Sequence, residues 1–130
     1  MKEKLDSIIK ELDGVDLVLD KLEGKSNVSV FEKLCANCDR IFNTFCEMSI
    51  VEIVRSGYAR MALDFLNRLK GQVIRLANYK EALTAYLEME NASLSNGPSV
   101  EAVEAKAESI ANEVNNVKNL TLNYQEEKAA

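Results

Sequence analysis

The chain has 130 residues, 47% of them hydrophobic, with one proline, five glycines and neither histidine nor tryptophan. That is the size of one domain, too apolar for a disordered chain and too poor in helix breakers to interrupt long helices. The net charge of −5 and a pI near 4.9 oppose non-specific attraction to nucleic acid or anionic membranes, and no apolar run approaches the roughly 20 residues that span a bilayer.

The first helical segment is expected over about residues 3–23. Leu5, Ile8, Leu12, Val15, Leu19 and Leu22 recur at alternating steps of three and four, a heptad seam, and Gly24 marks its end. A second helix is expected over 29–47, opened by a Ser29-x-x-Glu32 capping box. Within it lies CANCDRIFNTFC, residues 35–46. On a helix, Cys35, Cys38 and Cys46 fall in one apolar arc with Phe31, Phe42 and Phe45, where free cysteine packs as a small hydrophobe. A zinc site normally takes four ligands, and three thiols without histidine leave it one short unless Asp39 or a second chain contributes. A Cys35–Cys38 disulfide would distort the helix, because i and i+3 side chains stand too far apart. The cysteines are therefore assigned to the core, and neither a metal nor a cofactor is expected.

Residues 49–60 carry Ile50, Val51, Ile53 and Val54 all round a helix, which predicts a short buried helix near 50–56, capped by Ser49. The apolar faces before and after it differ by nearly half a turn, so a break is expected between Glu47 and Gly57. The third main helix is expected over 58–92. Its seam is Ala62, Leu66, Leu69, Val73, Leu76, Leu83 and Leu87, interrupted by Lys80, whose stem can stay in the seam while its head snorkels outward. Residues 92–98 form the clear loop. The fourth helix, expected over 99–127, carries Val103, Ala107, Ile110, Val114, Val117, Thr121 and Tyr124 at strict heptad steps, and residues 126–130 are expected to fray.

The expected fold is all-α: one domain, an elongated antiparallel bundle of four main helices plus the short one, with the third and fourth protruding as a hairpin. A third helix of about 52 Å exceeds what a compact chain of this size covers, so its seam is expected to seek a partner or second copy. The expected partner and oligomer interface is Val103, Ile110, Val114, Val117, Tyr124, Leu76, Leu83 and Leu87. Tyr79 and Tyr86 are placed at the edge of the core or interface.

Charge is segregated: residues 53–80 carry +5 and the remainder −10. Arg60, Arg68 and Arg75 lie within about 80° on one helix, a face suited to the acidic first and fourth helices, to another anionic partner, or to a phosphate backbone. Opposite the fourth seam run Asn112, Asn116, Asn119 and Asn123, with Asn115 beside them. A solvated face normally uses Glu, Lys or Gln, better helix formers, so these amides mark a candidate polar interface. No P-loop, G-x-S-x-G, G-x-G-x-x-G or H-E-x-x-H occurs. The functional expectation is a cytoplasmic, non-catalytic helical interaction module for assembly, adaptor, chaperone-like or regulatory work. It acts through self-association and protein partners rather than membranes, and the alternative is a nucleic-acid-associated protein using the arginine face.

Overall fold

The computed structural model describes residues 2–89 and 100–129, which form five α-helices and, among the described residues, no strand: α1 Lys2–Leu22, α2 Val28–Cys46, α3 Ile50–Arg55, α4 Ala59–Met89 and α5 Val100–Ala129. The expected loop at 92–98 and the first turn assigned to residue 99 lie outside the described residues. α5 runs on through residue 127 to Ala129, beyond its expected end. No described helix is long and apolar enough to cross a membrane.

Local chemistry sets the helix ends. After α1 the chain turns at Gly24, whose φ of 78° is the left-handed region. The N-cap of α2 is Asn27, whose side chain accepts from Val30 N at 3.1 Å. The capping box expected at Ser29 is thus displaced by an amide two residues earlier that reaches the orphan donor first. Ser49 caps α3 as expected, accepting from Glu52 N at 3.3 Å. The break before α4 is a Schellman turn: Gly57, at φ 86°, donates to Val54 O and Tyr58 donates to Ile53 O.

One continuous core draws on all five helices. α2 and α4 run antiparallel, since Phe31 meets Tyr79 (ring centroids 5.7 Å apart) and Phe45 meets Phe65 (5.4 Å). α1 lies along the same pair, and all six of its seam residues are buried. It runs parallel to α4: Arg68 pairs with Asp13 and Asp16, then Arg75 with Asp20 and Glu23. Two successive reversals of chain direction, α1 to α2 and α2 to α4, give the first and third main helices this common direction. α5 packs on α4 from the other side, with Lys106 bound to Asp39 on α2 at 3.1 Å and Arg55 near Glu127 at 3.6 Å.

α4 is the axle of this arrangement. Its 31 residues, about 46 Å at the usual rise, are buried repeatedly from Ala62 to Leu83 by the chain's own helices. The expectation of an α4–α5 hairpin left bare for a partner is corrected over that span. Lys80 behaves as expected: it is buried, with Nζ 5.5 Å from the Phe31 ring centroid. α3 is not apolar-packed all round, because Val51 remains 46% exposed while Ile53 and Val54 are buried.

Candidate interaction surfaces

Of the eight residues expected at a partner interface, Leu76, Leu83, Val103, Ile110, Val114 and Val117 are buried in the chain's own core. Leu87 and Tyr124 are half-buried against it. The heptad seam of α5 is consumed by α4, and the seam of α4 by α1, α2 and α5. A heptad announces that a helix has a partner; it does not say whether that partner is in the same chain. The six buried seam residues are therefore corrected from interface to core.

The arginine face divides. Arg68 Nη2 donates to Asp13 Oδ1 at 2.7 Å and to Asp16 Oδ2 at 3.0 Å. Arg75 Nη2 donates to Asp20 Oδ1 at 2.9 Å and to Glu23 Oε1 at 3.0 Å. The hydrogen bonds these carboxylates accept, Asp13 first for Arg68 and Asp20 first for Arg75, hold both guanidiniums further into their charged form. Arg60 is exposed in a groove that it shares with Ile9, Met61, Asp64, Phe65 and Arg68. Two of the three arginines are thus engaged within the chain, as the acidic first helix suggested, and do not present an open run of positive charge to a phosphate backbone.

Between the two arginines, Gln72 completes a polar ladder that sequence reasoning missed. It is buried, and its Nε2 donates to Leu12 O and to Asp16 Oδ1, both at 2.9 Å, while Oε1 finds no partner among the described residues. The signal was available as a matched register: Asp13, Asp16, Asp20 and Glu23 at steps of three, four and three on α1 face Arg68, Gln72 and Arg75 at steps of four and three on α4. Tyr79 was placed at the core edge, and its ring is there. Its hydroxyl does more, donating to Lys25 O at 2.6 Å and accepting from Asn27 N at 3.0 Å, which pins the α1–α2 turn to α4.

Asn112, Asn115, Asn116, Asn119 and Asn123 are all exposed on the outer face of α5, next to Leu122, itself 59% exposed. The fold leaves this face uncovered by the chain's other described helices, with Asn123 at the edge of a recess under Val51 and Tyr124.

The cysteines do not share one environment. Cys38 is buried, Cys35 half-buried, and Cys46, last residue of α2, exposed, so its assignment to the core is corrected. Burial pushes the thiols of Cys35 and Cys38 up to about 12; nearby Asp39 adds to this for Cys35, and Cys35 itself for Cys38. They line a recess of about 180 Å³ with Val73, Leu76, Ala102 and Val103, rimmed by Asp39 and Lys106. Groups of three or more metal-ligating side chains do not occur among the described residues. Thiols held neutral are poor nucleophiles and poor ligands. No protein-family model, curated protein or solved structure matches this chain.

Proposed function

We propose that the protein is a non-catalytic helical interaction module, an assembly, adaptor, chaperone-like or regulatory protein whose working surface is the asparagine face of α5. The observation that carries this is the exposure of Asn112, Asn115, Asn116, Asn119 and Asn123 together on one helix face. An exposed helix face gains stability from Glu, Lys and Gln, and each asparagine in their place costs a few tenths of a kcal/mol. A cluster of five keeps that cost, with no side-chain hydrogen bond from these amides to offset it among the described residues.

An amide both donates and accepts, and the principal residues step by four, three and four, a spacing that reads the same in both directions. The stripe can therefore pair with a copy of itself, and self-association is the first form in which to seek the activity. Light scattering behind a sizing column, over a hundredfold concentration range, tests it. Wild type is expected to show a mass above that of one chain, and Asn116→Glu with Asn119→Glu to reduce it to one chain without loss of helicity. A single-chain mass at every concentration refutes self-association. An oligomer unaffected by the double substitution refutes the assignment of this face.

A further inference from the structure

We propose that the groove between α2 and α4 is a docking site for an acidic amphipathic helix, and that α1 is its resident, displaceable cover. This inference is independent of the asparagine face.

The groove has an apolar floor with a basic rim on both sides. Phe31, Leu34 and Ile41 of α2 and Leu69 of α4 are buried in the common core to which the α1 seam also belongs. Arg68 and Arg75 stand along the α4 edge, and Arg40 along the α2 edge, where it donates to Glu11 at 2.9 Å. The occupant that fits has an apolar stripe with acids flanking it on either side. α1 has this composition, with its seam flanked by Glu11 on one side and Asp13, Asp16, Asp20 and Glu23 on the other. Charge complementarity thus states which class of partner helix the groove accepts, and in which direction, since the carboxylates must run in step with the arginines.

Three features make α1 the element that yields. It lies at the edge of the bundle, and its packing is on α2 and α4, so its removal leaves the α2–α4–α5 core joined. Gly14 sits mid-helix with no atom within 4 Å of where a Cβ would be, so nothing in the fold requires a glycine there and the helix is weakened by it. At the centre of the contact, the buried Gln72 Oε1 is left without a donor among the described residues, a polar demand that α1 does not meet.

The probe is a fluorescein-labelled peptide of residues 2–23 added to the full chain, read by fluorescence anisotropy and by hydrogen exchange of the protein. The peptide is expected to bind saturably, about fivefold more weakly when sodium chloride is raised from 50 to 300 mM. Amides of the protein's own α1 should lose protection on binding. A peptide with Asp13, Asp16, Asp20 and Glu23 changed to lysine is expected to bind at least tenfold more weakly. Leu12→Ala in the protein, which loosens the cover, should tighten peptide binding about tenfold, because apparent affinity scales with the open fraction. The proposal is overturned by absence of binding to both wild type and the Leu12→Ala protein, by equal binding of the two peptides, or by binding that leaves α1 protected.

Discussion

Two glycine-to-alanine substitutions, identical in chemistry, are expected to change stability in opposite directions. Gly71 is exposed in the middle of α4, at an ordinary helical φ, and a Cβ there meets no atom within 4 Å. Gly71→Ala therefore adds helix propensity and removes unfolded-state freedom without a clash, worth about 1 kcal/mol. Gly57 also has open space around it, but its φ is 86°. Alanine there enters the left-handed region at a cost of about 1–2 kcal/mol, only partly offset by the stiffer unfolded chain, and it loosens the Schellman turn that starts α4. With an unfolding entropy of about 2.1 cal/mol/K per residue, 1 kcal/mol in a chain of this length moves Tm by about 4 °C. Urea and thermal unfolding by circular dichroism should place Gly71→Ala about 4 °C above wild type and Gly57→Ala a similar interval below. A drop in Tm for Gly71→Ala would refute the reasoning, since it would mean that something packs against that face of α4.

Ile110→Ala, at a fully buried seam position, should cost about 2–5 kcal/mol through lost burial and a cavity, whereas Asn116→Ala on the exposed face of the same helix should stay within about 0.5 kcal/mol; equal effects in urea titrations would contradict the assignment of the seam to the core. Tyr79→Phe removes a donor to Lys25 O and an acceptor for Asn27 N and should cost about 1–2 kcal/mol, with hydrogen exchange rising first in the α1–α2 turn. Timed iodoacetamide labelling followed by mass spectrometry should modify Cys46 well before Cys35 and Cys38, whose thiols are held protonated by burial. The same raised thiols favour the folded state while neutral. Their contribution is present below the ordinary value of 9.0 and is lost as pH rises towards about 12, because the unfolded chain releases those protons first. The fall in unfolding free energy between pH 8 and 11 should therefore be shallower in Cys38→Ala than in wild type, and an unchanged slope would contradict it.

Much of this molecule is written in its periodicity. The seams of α1, α4 and α5, the break between Cys46 and Ala59, and the snorkelling Lys80 follow from spacing alone, because a 3.6-residue helix forces residues at steps of three and four onto one side whatever lies opposite. Charge segregation likewise pointed from the arginines of α4 to the acids of α1. Periodicity is a property of one helix, and the identity of the neighbour is a property of the whole chain. Nothing in Val103, Ile110 or Val117 distinguishes α4 of the same chain from α4 of another, and only the packing decided that they are core. The direct packing of α1 on α4, the burial of Gln72 against Leu12 O and the exposure of Cys46 at the end of α2 depend on which helix sits beside which. Each rests on contacts more than fifty residues apart in the chain or on where a helix end meets the surface, information that local spacing does not hold.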